Sequence, residues 1–302
     1  MTVLFELKDR LRRIYTAYDG YIRPLLKFLF ALLCLFAVQA YIGENARLAN
    51  PAILLGASLL CAFLPWGAAA LLAGLFILGN TFVVSYTVTA VLGLTMFIVL
   101  VLYCGFRPGN TVVLALVPLC FFLHVPYIMP LVLGLCAGAA AVVPAAFGVI
   151  IWFLMRYVHE NAASLEQTAD PSKLVGEFTT VMKAVFGSRY LLLVLFAFLL
   201  CILLVSLIRQ LPVNHAWTIA ILAGTAVLGL VMVLGGTLAA DTPFVWDILE
   251  LLGALLLALL YEHLFFAVDY AHVQRLEFED DDYYYYVKAV PKIHYDEEEE
   301  RW

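Results

Sequence analysis

The sequence predicts an all-α, polytopic integral membrane bundle, and three observations carry that reading. The mean hydropathy is +0.98. Only 13% of the residues are charged, about half the share of a soluble domain. Apolar runs of bilayer-spanning length recur between residues 25 and 268, and in hydrocarbon such runs can pair their own backbone groups only as helices. They lack the period-two alternation of an outer-membrane barrel.

Residues 1–24 form the first unit. Val3, Leu7, Leu11, Ile14 and Tyr18 recur at three- and four-residue steps, with Lys8, Asp9, Arg12 and Arg13 between them. This spacing predicts an amphipathic helix with a basic face, lying on the membrane surface. So long a charged segment does not fit a cleavable signal, and none is expected. Pro24 marks the start of a six-span block over 25–155, with spans expected near 25–42, 51–64, 67–85, 89–106, 111–125 and 127–155. Several of these are short or interrupted by Pro51, Pro65, Pro118, Pro126, Pro130 and Pro144. Such breaks are tolerated where neighbouring protein or a polar cavity pairs the freed backbone. Gly134 and Gly138, at GxxxG spacing in "GLCAGAAAVVPAAFG", suit close helix packing. A substrate path through a broken helix is the alternative.

Residues 156–189 are a polar interval containing a helix with its punctuation in place. Asp170 can N-cap, Pro171 suits the first turn and Gly187 the stop. Leu174, Val175, Phe178, Val181, Met182 and Val185 form its apolar stripe. At this length it cannot span, so it is expected to lie on the bilayer or against a partner, with Phe178 and Met182 as candidate docking residues. Spans near 190–209, 216–239 and 246–269 make a three-span block over 190–270, giving nine in all. Merging two short spans into a re-entrant hairpin gives eight. Six of the seventeen lysines and arginines precede or begin the first span, which predicts a cytoplasmic N-terminus in the cell membrane. Charge counting leaves the parity, and so the side of residues 271–302, open.

The last span carries the ionisable groups. On a helical wheel Asp247, Glu250, Tyr261, Glu262 and Asp269 share an arc of about 120°. One reading is a proton or cation path. The other places Asp247 and Glu250 in a first turn, where the helix dipole favours anions, and Glu262 and Asp269 near the far interface. Gln39 and Asn80 are expected to form interhelical hydrogen bonds. The six cysteines all lie in apolar runs without CxxC pairing and read as small buried hydrophobes. His124 and His263 have no neighbour in sequence that suggests a metal pair. There is no HExxH, phosphate-binding loop, GxSxG elbow or dinucleotide fingerprint. The expectation is therefore a non-enzymatic protein without cofactor, metal or nucleic-acid partner.

Residues 271–302 hold ten acidic and four basic residues, the whole of the chain's −6 charge. "HVQRLEFEDDDYYYYVKAVPKI" predicts a β-hairpin: a strand near 272–279, a turn at 280–282 and a strand over 283–290. Tyr283 and Tyr285 would share one face, Tyr284 and Tyr286 the other. The hairpin could cap the last span, dock a partner by strand addition through Phe278 and the four tyrosines, or bind a divalent cation at 279–282.

The segment "FEDDDYYYYVKAVPK" (278–292) resembles the C-terminal signature of a family of multi-span membrane proteins from clostridia-type Firmicutes, some of which carry a transporter-permease label. The resemblance covers about 15 residues and the hydropathy outline. It implies a single-membrane location and an export or permease subunit, and carries over no site residue. The expected function is a permease-like or scaffold subunit working with a partner, any ATPase being a separate chain. The alternative is an autonomous secondary transporter using the last-span carboxylates. The six-plus-three division, without an evident duplicate, counts against an inverted repeat.

Overall fold

The structure is a computed structural model that describes residues 13–106, 111–162, 171–238, 244–265, 274–280 and 283–289. Its helices are α1 (Asp19–Tyr41), α2 (Pro51–Phe63), α3 (Gly67–Val84), α4 (Tyr86–Phe106), α5 (Val112–Phe122), α6 (Ile128–Cys136), α7 (Val142–Asn161), α8 (Pro171–Phe186), α9 (Arg189–Ile208), α10 (Ala216–Leu238) and α11 (Phe244–Phe265). A 3₁₀ turn, Ala139–Ala141, precedes α7, and strands β1 (Gln274–Glu279) and β2 (Tyr284–Ala289) follow α11. Residues 13–17 are helical. Most of the expected surface helix, and the Asp170 cap, lie outside the described residues.

Among the described residues six helices are long and apolar enough to cross a membrane, fewer than the eight or nine spans expected. Two of the three differences are of length: α2 and α5, of 13 and 11 residues, reach about 20 and 16 Å at 1.5 Å per residue, against a hydrocarbon core of about 30 Å. The third, α4, is 21 residues long, and its stretch Tyr86–Ile98 is a shorter apolar helix. The expected span 127–155 is two elements. It breaks at Gly138, whose φ of 72° is open to glycine, and which follows the end of α6 at Ala137.

Contacts between helix ends fix the direction of each element. Lys27 Nζ donates to the Leu64 carbonyl (2.9 Å), so α2 ends beside the start of α1. The Asn45 amide donates to Asn80 Oδ1 (3.2 Å), and Asn80 Nδ2 donates to Gln39 Oε1 (3.2 Å) and to the Phe76 carbonyl (2.9 Å). The end of α1 thus meets the end of α3, through the interhelical bonds expected of Gln39 and Asn80. Gly67 abuts Thr111, so α3 and α5 begin together. Tyr41 stacks on His159 (4.5 Å between ring centroids), so α1 and α7 finish together. Tyr127 and Tyr190 both reach Asp247, so α6, α9 and α11 begin at that same face. Thr218 reaches Glu262 and Arg209 reaches the Leu135 carbonyl, placing the start of α10 and the ends of α6, α9 and α11 opposite. Setting α8 aside, ten described helices alternate in direction. The chain enters α1 and leaves α11 at one face, called here the proximal face. The other is the distal face.

The core is continuous from α1 to α11, and α9 is its centre: Leu191, Val194, Ala197, Cys201, Ile202 and Val205 are fully buried. Close approach needs small residues. A Cβ on Gly134 would lie 2.7 Å from Val205 Cβ, and one on Gly224 2.6 Å from Val205 Cγ2. The GxxxG segment is therefore a packing surface against α9. Of the cysteines, Cys34, Cys61, Cys120 and Cys201 are buried as expected, whereas Cys136 is exposed. The stripe of α8 docks on this chain: Val181 and Val185 are buried, and Phe178 and Met182 pack partly buried against the same core. Phe178 and Met182, the expected docking residues, thus pack in part on their own chain. The apolar spacing was right, but the bundle leaves a lateral face for it.

Candidate functional site

The distal face gathers the ionisable groups. Asp247 and Glu250, three residues apart in the first turns of α11, project from one side of the helix. Tyr127, only 2% exposed, donates its hydroxyl to Asp247 Oδ1 at 3.1 Å. Tyr190 donates to the same oxygen at 3.4 Å. Its position is set locally, because Ser188 N-caps α9 by accepting from the Leu191 amide.

Glu250 Oε1 meets His124 Nδ1 at 3.1 Å, its side chain 18% exposed against 84% for the imidazole. His124 has φ 57°. It closes α5 with paired bonds from its own amide to Phe121 (3.1 Å) and from the Val125 amide to Cys120 (2.9 Å). That is the Schellman pattern, whose left-handed position glycine usually fills. A histidine held there in spite of its Cβ is oriented toward α11 by the helix stop itself.

The facing wall comes from the last turns of α7. Arg156 Nε donates to Glu160 Oε1 at 2.7 Å, and the guanidinium sits 5.9 Å from the Tyr190 ring centroid. Tyr41 lies 4.6 Å from Trp152, and Phe121 lies parallel to Trp152 at 5.5 Å. Between the walls is a cavity of about 1440 Å³ lined by both carboxylates, His124, Arg156, Glu160, Arg189, Tyr190 and Trp246. A second cavity, about 480 Å³, is walled by apolar side chains such as Cys34, Ala73, Met96, Phe97 and Leu119, with Thr111 at its edge. It offers no acid–base chemistry.

The arc expected along α11 is therefore divided. Asp247 and Glu250 are in the cavity. At the proximal end Tyr261 OH lies 3.1 Å from Cys136 Sγ, and Glu262 Oε1 accepts from Thr218 Oγ1 at 2.7 Å. The intervening turns put the two groups about 20 Å apart along the axis. Tyr261 and Glu262 share the face but meet different neighbours, α6 and α10, while Asp247 and Glu250 line the cavity at the other end. Asp269 lies outside the described residues.

The expected hairpin forms, with Phe278 opposite Tyr285, Glu279 opposite Tyr284 and Glu277 opposite Tyr286. Phe278 stacks on Tyr285 at 5.0 Å, and Tyr285 donates to Asp280 Oδ2 at 2.9 Å. Phe278, Tyr283, Tyr284 and Tyr285 are all exposed. Among the described residues no group of three or more His, Cys, Asp or Glu is placed to hold a metal ion.

Sequence reasoning missed Tyr127, Tyr190, Arg156 and Glu160, and set His124 aside. The partners of the last-span carboxylates come from 57 to 126 residues away, so no local spacing shows them. The one available signal was Arg156 and Glu160, an opposite-charge pair at i,i+4 in an otherwise apolar helix end. Comparison of the chain with protein-family models, curated proteins and solved structures finds no match.

Proposed function

We propose that this chain is a non-enzymatic, permease-like protein of the cell membrane. In this reading a solute is received in the distal cavity, and Asp247 and Glu250 are its polar contacts. The observation that carries it is the cavity itself: charged side chains converge from α7, α9 and α11 at one end of a bundle that exposes many large apolar side chains along its helices. Intramembrane carboxylates are costly and mark solute or ion routes. A scaffold would have no use for a cavity of this lining. Energy could come from ion coupling through the two carboxylates or from a separate ATPase, the chain having no phosphate-binding loop. The exposed hairpin is the surface offered to such a partner.

The alternating helices also favour one orientation. We read the segments that precede α1, join α4 to α5 and follow α11 as proximal, which would give that side twelve of the seventeen lysines and arginines and leave Arg47, Arg156, Lys173, Lys183 and Arg189 to the distal side. This asymmetry is steeper than either arrangement read from hydropathy. By the positive-inside rule this reading makes the proximal face cytoplasmic, with the cavity facing outward.

Thiol labelling of intact cells tests both statements in a cysteine-free background. Leu249→Cys, in the cavity wall, is expected to react with a membrane-impermeant maleimide added outside, whereas Lys292→Cys reacts only after permeabilisation. Reaction of Lys292→Cys from outside would overturn the orientation. A Leu249→Cys protein inert from both sides would remove the solute-receiving cavity.

A further inference from the structure

Resting on that cavity as a solute site, we infer that its ligand is an organic monocation, a protonated or quaternary amine with an apolar body. Three independent features lead there.

The first is charge. Arg156, Arg189, Glu160, Asp247 and Glu250 all line the cavity, two formal positive charges against three negative. Arg156 is committed to Glu160. Asp247 is met by two neutral hydroxyls and Glu250 by an imidazole, so neither has a lysine or arginine partner among the described residues. Arg189 is exposed at the rim. One added positive charge brings the site to balance, whereas an anion would deepen the mismatch already met by Asp247 and Glu250.

The second is the wall material. Tyr41, Phe121, Trp152 and Tyr190 present rings around the same space, and one of these rings already carries a cation, the Arg156 guanidinium over Tyr190 at 5.9 Å. Aromatic faces attract ammonium and guanidinium groups, most strongly where water is thin.

The third is size. Ligand pockets for small organic molecules run to about 300–1,000 Å³, and this cavity, at about 1440 Å³, has room for such a molecule. A bare metal cation instead needs a tight shell of six to eight oxygens, and no such group exists among the described residues. The space is an organic ligand's, and the carboxylates fix the charge of its head.

The test uses the purified full chain in nanodiscs, with benzyltrimethylammonium as the cationic probe and benzyl alcohol and benzenesulfonate as neutral and anionic comparators. Binding is read by isothermal titration calorimetry and by protection of Leu249→Cys from maleimide. The cation is expected to bind at least tenfold more tightly than either comparator and to slow the labelling. The Asp247→Asn, Glu250→Gln double variant should lose that tenfold preference. Glu262→Gln, at the opposite end of α11, should keep it, and this controls for general damage to the helix.

Equal binding of the three probes, or a cation preference that survives the double variant, overturns the inference. If Leu249→Cys is labelled from outside but benzyltrimethylammonium shows no preference, the ligand class fails while the cavity reading stands. If Leu249→Cys reacts from neither side, both fall together.

Discussion

Gly148→Ala is expected to destabilise the protein by about 2–3 kcal/mol, the usual scale of overpacking a filled core. The added Cβ would lie 2.6 Å from Val117 Cβ and within 3.1 Å of both Val117 methyls. Val117 cannot step aside, being fully buried and stiff at χ1 because it is branched at Cβ. The helices α5 and α7 must therefore part, and their separation is felt along the wall that holds Phe121 and Trp152. Gly56→Ala provides the opposite sign. Nothing stands within 4 Å of its Cβ position in α2, so the change should be neutral or stabilising by up to about 1 kcal/mol through helix propensity. Thermal unfolding of both variants in detergent decides the matter. Equal midpoints would mean that the α5–α7 contact is not as close as described.

Arg209→Leu should cost about 1–3 kcal/mol, the penalty of leaving a buried carbonyl without its donor. The Arg209 guanidinium donates to the Leu135 carbonyl in the last turn of α6. The last four carbonyls of any helix lack partners of their own kind. Leu135 is buried, so water does not replace a lost donor there. Gly138 answers one of them, its amide donating to the Leu133 carbonyl at 3.0 Å, and Arg209 answers another. Arg209→Lys keeps a donor and should recover part of the loss. If leucine and lysine at 209 give the same unfolding midpoint, the guanidinium bond contributes nothing.

The parts of this structure legible in sequence are those governed by local composition. Hydropathy located the membrane helices, and Pro171 and Gly187 bracketed α8. The Asp-rich turn between two β-prone runs placed the hairpin to within two residues of its observed strands. The break at Gly138 was not legible, because a turn inside a membrane bundle is built from the same Ala, Leu and Gly as the helices around it. Only the backbone angle of Gly138 distinguishes it. That omission merged two helices, α6 and α7, into one expected span. The cavity was half legible. Asp247 and Glu250 stand out in an apolar helix, but which of the five conspicuous residues on that arc act together depends on Tyr127, His124 and Tyr190, delivered by three other helix ends. The register between distant helices is a property of packing, and no spacing rule within one helix contains it.

The shortness of α5 and α6 also bears on how the protein is made. An 11-residue and a 9-residue helix are too brief to be held in a bilayer on their own hydrophobicity. The residues that anchor them, Val117 against α7 and Gly134 and the Leu135 carbonyl against α9, find partners that leave the ribosome later. The packing of residues 111–136 is then complete only once both α7 and α9 have been synthesised. Cysteines placed within 111–136 of a chain arrested before residue 189 should accordingly be more open to a maleimide than in the finished protein. Biogenesis of this protein is paced by its centre, and a lesion in α9 would surface first as failed integration of helices synthesised well before it.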